Sequence, residues 1–439
     1  MTVTQKPRSE AVGERVLRKV TWRLMPLLIG MYLMSFIDRV NIGVAALTMN
    51  ADLGLTMTMY GFASGVFFLG YLLFQVPSNW MFHRVGMRRW MTVLLIVWGC
   101  CSAAGALVIG PHSLYAQRLV LGVAEAGFYP AAICYLGHWF PARERARKVA
   151  LFLLAIPLAN TIGAPLSALL VEHAGLGGLP GWRTMFLAEG LPTVGLGLLV
   201  AKVLPNTPRE ARWLTSAEQA WLIGQLADDT PAQPASDRHI RRPFAAALTD
   251  PRVLVLALVN AGLYFSLYSL QFFLPSLIKG LRPGSSISSV GWLVAVCYAV
   301  SALAMMGWSR HSDRAAERTR HLLFPALAGA AVLFAVVAAG SGQLLLVGVT
   351  VTAACVFAAL PVFWSLPATF LSGAAAAAGI AAINAISSLA SFLGPYATGA
   401  LKDATGSFTP SLLLLAASLA LTGAVVPVAA TLIRRAALR

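Results

Sequence analysis

The sequence predicts an all-α membrane protein with twelve transmembrane helices in two six-helix halves. Of its 439 residues, 58% are hydrophobic and only 11% are charged, whereas a soluble domain carries about 25% charged residues. Apolar runs long enough to cross a bilayer, about 20 residues each, recur along the chain. A polar connection rich in proline divides them into two sets of six. This pattern excludes a soluble cytoplasmic enzyme, a secreted disulfide scaffold and a disordered tail.

The predicted spans follow the apolar runs in order along the chain. They are 23–47, 58–80, 91–110, 114–139, 149–171, 183–204, 253–279, 287–308, 321–340, 343–366, 377–401 and 410–433. The first 20 residues are polar and basic, and the run after them is long enough to span. We therefore expect that run to stay as a helix rather than to act as a cleaved signal peptide.

Basic residues divide unevenly between the two sides that twelve spans create. With the N-terminus inside, 27 of the 33 Lys and Arg residues fall inside and 4 outside, while Arg39 and Arg118 lie within spans. Such an excess of positive charge is typical of cytoplasmic loops. The net charge of +16 is therefore interpreted as this bias rather than as nucleic-acid binding. We expect a multi-pass inner (plasma) membrane protein with both termini cytoplasmic.

The polar connection also predicts the domain boundaries. Within it, Thr215 and Glu218 have the spacing of a capping box, which predicts a short amphipathic helix over 216–227 on the cytoplasmic face. Basic loops follow both the second and the eighth span, which suggests a duplicated unit. The expected domains are an N-terminal six-helix bundle (1–204), a cytoplasmic linker (205–252) and a C-terminal six-helix bundle (253–439).

Four charged residues lie deep within the predicted spans: Asp38, Arg39, Arg118 and Glu125. A charge at the bilayer centre costs about 2.5–3.5 kcal/mol on insertion scales. One interpretation is a structural ion-pair network between the first and fourth helices. Buried ion pairs contribute little net stability, however, and intramembrane ionisable groups are usually functional. The pattern favours a functional site.

The chemistry of these four side chains suggests roles for them. A guanidinium matches a carboxylate in two-point geometry, so Arg39 is the candidate anchor for an anionic substrate. Asp38 and Glu125 are candidates for gaining and losing a proton as their neighbours change, and Arg118 is a candidate partner that holds Glu125. Asp38 and Arg39 are adjacent on a helix and point about 100° apart. The seven histidines fall in loops or near span ends, which disfavours coupling through histidine.

Other polar and aromatic side chains within spans are candidates for lining a substrate site. Each one also fits ordinary core packing with a single hydrogen bond. We interpret Glu189 as a structural partner of Arg183, and the five cysteines as packing residues, because they lie in apolar runs without metal-ligand spacing. No cofactor or metal is expected. The candidate lining residues are Tyr71, Tyr129, Tyr264, Tyr268, Trp364 and Asn384.

Several motifs recur at intervals along the chain. They are Phe36-Ile-Asp38-Arg39-Val-Asn41-Ile-Gly43, Gln75-Val-Pro77-Ser78-Asn79, Arg84-Val-Gly86-Met-Arg88-Arg89-Trp90, Arg118 to Glu125-Ala-Gly127-Phe128-Tyr129-Pro130, Gly181-Trp182-Arg183, Ser312-Asp313-Arg314, Phe363-Trp364-Ser365-Leu366-Pro367 and Ala378 to Asn384 with Gly394-Pro395. Together they resemble the anion:cation symporter branch of the major facilitator superfamily, nearest to its bacterial tartrate, phthalate and hydroxyphenylacetate permeases. The match runs in register over nearly the whole chain. In the loop after the second span His83 replaces the superfamily's usual Asp, whereas Asp313 is kept in the second half.

The resemblance implies two pseudo-symmetric six-helix bundles, alternating access by a rocker switch and proton-driven uptake of organic anions by a monomer. It implies proton steps at Asp38 and Glu125, and a substrate carboxylate on Arg39. Tyr71 and Asn384 would line the site, Arg118 would partner Glu125, and Trp364 is a weaker candidate.

Three alternatives to import remain distinct. An exchanger or exporter fits the same fold, although a cationic anchor beside two acids fits an anion better than a lipophilic cation. A sensor would need an output domain, and an intramembrane enzyme would need a Ser/His, metal-ligand or paired-Asp motif; neither feature is found in the sequence. Aromatic residues favour an aromatic acid, whereas the resemblance allows a hydroxylated dicarboxylate equally well.

Overall fold

The computed structural model describes residues 6–228, 247–367 and 373–437, and within them all regular structure is helical. This described part contains twelve helical stretches that are long and apolar enough to cross a membrane. They confirm the twelve predicted spans, and most extend beyond the predicted edges because polar helix ends lie outside the apolar runs. Spans 1 to 12 are Val12–Asp52, Met57–Phe82, Met87–Leu107, Pro111–Trp139, Ala142–His173, Gly181–Val203, Pro251–Leu281, Ile287–Ala315, Thr319–Ala339, Gly342–Ser365, Ala378–Thr405 and Thr409–Arg434.

Three spans consist of two helices each. Span 1 combines Lys6–Val40 and Ile42–Asp52, span 4 combines Pro111–Glu125 and Phe128–Trp139, and span 5 combines Ala142–Leu153 and Ala155–His173. A proline explains the last two breaks, because its ring clashes with the carbonyl four residues earlier and it donates no hydrogen bond. Pro130 acts in this way on span 4, and Pro157 on span 5.

The other helices run unbroken, and some extend past the span edges. Short 3₁₀ turns occupy Ala104–Leu107, Leu176–Gly178 and Pro208–Glu210. The unbroken helices are Met57–Val85, Met87–Ala103, Gly181–Val203, Ser216–Asp228, Pro251–Leu281, Ile287–Ala315, Thr319–Ala339, Gly342–Ser365, Gly373–Thr405 and Thr409–Ala437.

The spans pack into two six-helix bundles that repeat one pattern. In the first bundle span 1 packs on span 5, span 2 on span 4, and span 3 on span 6. The same pairs recur in the second bundle as 7 with 11, 8 with 10, and 9 with 12. This repetition confirms the duplicated unit that the two basic loops suggested.

The two bundles meet mainly through span 2 with span 11, span 5 with span 8, and span 1 with span 7. Glycines permit the close approach of backbones that such helix pairs require. A Cβ on Gly61 would lie 2.3 Å from the carbonyl oxygen of Pro395, and one on Gly399 would lie 2.0 Å from that of Met57. The interface therefore depends on the absence of side chains at these positions.

Hydrogen bonds between the bundles cluster at one end of the molecule, which we call the closed end. It carries the connections 52–57, 107–111, 173–181, 281–287, 339–342 and 405–409. There the carboxylate of Asp403 accepts from the backbone N–H groups of Met57 (3.0 Å) and Thr58 (2.6 Å) at the start of span 2. The carboxylate of Glu172 accepts from the backbone N–H of Ser288 (2.6 Å) at the start of span 8. Each bundle thus caps a helix of the other.

The linker begins with the predicted amphipathic helix, which spans Ser216–Asp228. The capping box is confirmed: Thr215 N–H donates to Glu218 at 2.8 Å, and Glu218 N–H donates to the Thr215 hydroxyl at 3.3 Å. The Lys19 ammonium also contacts Glu218 at 2.9 Å and holds the pKa of that carboxyl below its ordinary value. The helix is therefore tied to the first turns of span 1. The rest of the predicted linker, 229–246, lies outside the described residues.

Candidate functional site

A buried ion pair joins span 1 to span 4 near the middle of both. The Arg39 guanidinium donates to the Glu125 carboxylate at 2.8 Å, and the Ser35 hydroxyl donates to the same carboxylate oxygen at 3.1 Å. The Arg39 side chain is 10% exposed and that of Glu125 is fully buried. The two residues that the sequence marked as substrate anchor and proton carrier are therefore in direct contact.

Local sequence explains why Glu125 reaches this position. A Cβ on Gly122 would lie 2.0 Å from the carbonyl oxygen of Phe67, so span 4 approaches span 2 closely one turn before Glu125. The helix then breaks immediately after Glu125, at the carbonyl that Pro130 cannot pair. Glu125 thus ends its helix beside a close helix crossing, deep inside the N-terminal bundle.

Asp38 faces a different side of span 1 from this ion pair. Its carboxylate accepts from the Trp98 indole at 2.8 Å, from the Ser102 hydroxyl at 2.6 Å and from the Thr193 hydroxyl at 3.1 Å. It is fully buried. The expectation that Asp38 and Arg39 face different surroundings is confirmed, and the surroundings of Asp38 are neutral donors from spans 3 and 6.

Arg118, the candidate partner of Glu125, makes no direct ion pair with it, and each of the two side chains has another partner. Its guanidinium donates to the backbone carbonyl of Arg39 at 3.1 Å, and Arg39 itself takes the Glu125 carboxylate. The seven-residue separation of Arg118 and Glu125 is about 10 Å along the helix, so a partner on span 1 lies closer. Arg118 is fully buried, and its Nε and Nη1 atoms have no hydrogen-bond partner among the described residues.

Aromatic rings surround the Arg39 guanidinium. Its central carbon lies 4.9 Å from the ring centroids of Phe36 and Phe67 and 5.4 Å from that of Tyr71. A cation over such rings is stabilised by about 0.5–2 kcal/mol each when partly desolvated. Tyr71 is partly exposed, so this predicted lining residue forms an accessible face of the site.

A chain of aromatic contacts continues from this site into the second bundle. Phe68 contacts Tyr268 with ring centroids 4.2 Å apart, and Tyr268 lies 5.9 Å from Tyr264. The Trp364 side chain lies within interaction range of that of Tyr264. Three residues that the sequence singled out in the second half are therefore brought together, facing the bundle that holds Arg39.

Tyr129 and Asn384 are less directly connected to Arg39. The Tyr129 ring lies 5.9 Å from that of Tyr32, which in turn packs on Phe36 at 5.1 Å. Asn384 is partly exposed and stands one turn before Ser387, whose hydroxyl accepts from Asn260 at 2.7 Å. The structure joins Tyr129 to the site through rings, whereas it gives Asn384 no contact with the ion pair.

The predicted pairing of Glu189 with Arg183 is wrong. Arg183 donates to the carbonyl oxygen of Ala106 at 2.5 Å. Glu189 is 2% exposed and accepts from the Asn41 amide at 2.9 Å and from the Ser167 hydroxyl at 2.7 Å. Helical spacing already argued against the pair, because residues six apart lie about 120° apart around a helix. Glu189 is the buried acid that sequence reasoning assigned wrongly.

The described residues contain no group of three or more His, Cys, Asp and Glu side chains that could hold a metal ion. What the geometry does offer is a buried guanidinium and acids inside the first bundle, joined by a chain of aromatic rings to the second bundle. Such an arrangement, deep in twelve spans, is a site for moving a small polar molecule across a membrane. The fold and site therefore define a multi-pass membrane transporter.

The chain belongs to the Major Facilitator Superfamily, whose sequence profile matches residues 28–395. A relative from Agrobacterium vitis named "Putative tartrate transporter" is 45% identical over 92% of this chain and 88% of its own length. The "Quinolone resistance transporter" of Acinetobacter baumannii is 40% identical over 91% of both chains. The "Inner membrane transport protein RhmT" of Escherichia coli is 34% identical over 93% of this chain and 94% of its own.

Solved structures support the same fold. A bacterial homologue of the human lysosomal transporter Spinster superposes with a TM-score of 0.73 at 18% identity, covering 98% of this chain and 97% of its own. A D-xylose–proton symporter superposes with a TM-score of 0.74 at 15% identity, covering 92% and 97%. The predicted family, the two-bundle fold and a transporter rather than an enzyme are thereby confirmed.

Proposed function

We propose that this transporter is a proton-coupled symporter that imports a small organic carboxylate by alternating access. The observation that carries the proposal is the buried 2.8 Å contact between Arg39 and Glu125. The guanidinium that matches a substrate carboxylate is already occupied by a carboxylate of the protein. A substrate anion must therefore replace Glu125 on Arg39.

Protonation of Glu125 makes this replacement favourable. An ionised Glu125 displaced from Arg39 would be an unpaired buried charge, which is strongly unfavourable. A protonated Glu125 is neutral and releases the guanidinium to the incoming anion. One proton and one negative charge thus enter together, and the charge at the site stays constant. This exchange of partners is the proposed coupling step.

The closed end supports alternating access. The described hydrogen bonds between the bundles, including that from the Tyr60 hydroxyl to the carbonyl of Phe272 (2.8 Å) and that from the Gln271 amide to Asn160 (2.6 Å), lie toward this end. We infer that the site opens toward the opposite end, which carries the termini and the linker. The predicted charge bias makes that end cytoplasmic, so the state described is inward-facing.

An inner-membrane location is part of the proposal. The inside-rich distribution of Lys and Arg supports it, and so does the name of the Escherichia coli relative, an inner membrane transport protein. We propose that the protein works as a monomer, since the site is built from the two bundles of one chain.

Two chemical classes of carboxylate are candidates for the substrate. The rings of Phe36, Phe67 and Tyr71 around Arg39 favour an aromatic monocarboxylate, whereas the names of two Agrobacterium vitis relatives refer to tartrate. Arg39 is the one guanidinium with an exposed edge among the buried cations of the described residues, so one carboxylate is well matched. Thermal-shift screening with tartrate, phthalate, benzoate and hydroxyphenylacetate at two pH values identifies the class.

The proposal is tested with Glu125→Gln in proteoliposomes, using the acid that the screen selects. Gln cannot exchange a proton, so accumulation driven by a pH gradient is expected to be lost. Counterflow, which exchanges internal for external substrate without net proton movement, is expected to survive. Glu144→Gln, the same change at a partly exposed acid, serves as the matched control. Unchanged pH-driven accumulation in Glu125→Gln would refute the proposed role.

An exporter or exchanger is the second candidate, and one observation favours it: a relative 40% identical to this chain is named for quinolone resistance. The same ion pair would then exchange an outgoing anion for incoming protons. Proteoliposomes of known orientation separate the two, because an inward proton gradient drives substrate inward in a symporter and outward in an antiporter.

A further inference from the structure

The buried charges in the spans do not balance. Among the described residues, the buried Arg, Lys, Asp and Glu side chains are Asp38, Arg39, Arg118, Glu125 and Glu189. The buried set therefore consists of two guanidinium groups and three carboxyl groups. If all five were ionised, a net negative charge would be held in a low-dielectric interior at a large cost in free energy. Protonation of one of the three acids would remove this net charge.

Glu189 has the weakest support for a negative charge. Glu125 pairs with Arg39, and Asp38 accepts from three neutral donors. Glu189 accepts from only two, the neutral side chains of Asn41 and Ser167. Arg183, a basic residue of the same helix, donates elsewhere. Neutral donors stabilise a buried carboxylate less than a charged partner does.

Asp38 is the titratable neighbour of Glu189, and the Thr193 hydroxyl lies between the Asp38 carboxylate and the Glu189 backbone. Thr193, one turn along the helix from Glu189, donates to the Asp38 carboxylate at 3.1 Å and lies 3.4 Å from the Glu189 backbone carbonyl. The other elements packed around the two acids contribute Trp98 and Ser102 from span 3. Two carboxyl groups thus share one pocket of neutral donors, behind the face of span 1 that carries Arg39.

The pocket contains a place for a proton. The Oδ1 atom of Asn41 is buried and has no hydrogen-bond partner within the described part of the chain, which is costly for an amide oxygen. Rotation of the Asn41 amide by half a turn would bring Oδ1 to the position of Nδ2, 2.9 Å from Glu189. A protonated Glu189 would then donate its O–H to that oxygen, and Ser167 would still donate to the other carboxyl oxygen.

We propose that Glu189 is a further proton-binding residue, beside Asp38 and separate from the Arg39–Glu125 pair, which loads and releases a proton during transport. In the loading step an O–H bond forms on a Glu189 carboxyl oxygen and the pocket loses one negative charge. The existence of the site stands on the charges and contacts above. Its use in transport rests on the proposed function. Asn41 and Thr193 are positioning residues, since they act through the two acids.

Infrared spectroscopy of purified protein in lipid nanodiscs tests the site without any substrate. A protonated carboxyl group gives a carbonyl stretch that an ionised one lacks. We expect such a band to disappear as the pH rises, to be absent in Glu189→Gln and to shift in Asp38→Asn. Glu189→Asp, which keeps an ionisable group, should retain a titrating band, and Glu144→Gln should leave the spectrum unchanged. A band that never titrates, or identical spectra for the wild type and Glu189→Gln, would overturn the proposal.

Transport stoichiometry tests the use of the site. Glu189→Gln is expected to carry one proton fewer per substrate than the wild type and to lose part of its pH dependence, while counterflow continues. A wild-type stoichiometry and pH profile in Glu189→Gln would overturn the coupling role. If the wild type itself moved no protons with substrate, the proposed symport would fail, and the infrared result would still decide whether the proton site exists.

Discussion

The Arg118 guanidinium donates to the backbone carbonyl of Arg39 at 3.1 Å, so one buried arginine holds the helical segment that carries the other. Span 1 breaks at Asn41, two residues after Arg39. A carbonyl near a helix break lacks part of its regular hydrogen bonding, and Arg118 supplies a charged donor there. Arg118 therefore helps to set the position of Arg39 through the backbone.

Arg118→Lys is expected to weaken substrate binding. Lysine lacks the planar fork and cannot donate to the Arg39 carbonyl from the same depth. A hydrogen bond from a charged group contributes about 1.5–3 kcal/mol, so we expect at least about a tenfold rise in the apparent Kd. The measurement is a titration of purified protein with the acid selected by thermal shift. Arg183→Lys is the matched control, since Arg183 also donates to a backbone carbonyl but lies away from Arg39; an equal effect there would contradict this role.

Asp403→Asn is expected to loosen the closed end. Asn keeps the shape of the side chain but removes the negative charge that faces the start of span 2, an interaction of about 0.3–1 kcal/mol. The ratio of closed to open molecules should fall about two- to fivefold. Spin labels at Ala51 and Ala404, both exposed at this end, measure the change as a longer distance population. The double variant with Glu172→Gln should shift the ratio further. An unchanged distance distribution in both the single and the double variant would argue against the caps.

Gly399→Ala is expected to prevent full closure of the same end. A Cβ there would lie 2.0 Å from the carbonyl oxygen of Met57, so the two backbones must separate. The same pair of spin labels should report mainly the longer distance. Gly280→Ala is the control, because a Cβ at that position meets no atom within 4 Å. Unchanged distances in Gly399→Ala would show that the interface tolerates a side chain.

Tyr268→Leu is expected to discriminate between substrate classes. Tyr268 connects Phe68 to Tyr264 across the two bundles, and an aromatic contact contributes about 0.5–1.5 kcal/mol beyond area burial. The affinity for benzoate or hydroxyphenylacetate should fall about two- to tenfold, with little change for tartrate. Tyr298→Leu, which removes a buried tyrosine packed on Phe357, is the control. Equal losses for both acids would indicate a purely structural role.

The contact between the linker helix and span 1 is expected to persist at neutral pH and to break in acid. The Lys19 hydrogen bond lowers the pKa of Glu218, so the contact is fully present above the ordinary glutamate range and is lost as the pH falls through the lowered value. Hydrogen exchange over 216–228 should therefore accelerate only at low pH in the wild type. Glu218→Gln should accelerate it at every pH, and no difference between the two proteins would contradict the tie.

Sequence alone predicted the fold because its signal is local. An apolar run of about 20 residues identifies a span wherever it occurs. A Pro alone does not mark a helix break, since Pro77 and Pro275 lie inside unbroken helices. The charges in spans 1 and 4 were equally visible, since a charge in an apolar run stands out. The capping box of Thr215 and Glu218 needed only four residues and was confirmed.

The partners of those charges could not be predicted, because they come from distant parts of the chain. Asn41 and Glu189 are 148 residues apart, and their contact depends on how spans 1 and 6 are rotated against each other. The same rotation decides that Arg39, rather than Arg118, takes the Glu125 carboxylate. Residue spacing predicts which residues share one face of a helix. Only the packing of several helices determines which residues that face contacts.

The reciprocal caps at the closed end have a consequence for the duplicated architecture. Span 2 begins on a carboxylate that the second bundle supplies, and span 8 begins on one that the first bundle supplies. Either bundle made alone would expose a helix start with free N–H groups. We expect the two halves, when severed and co-expressed, to associate and restore uptake, because each half supplies the carboxylate that the other needs at a helix start.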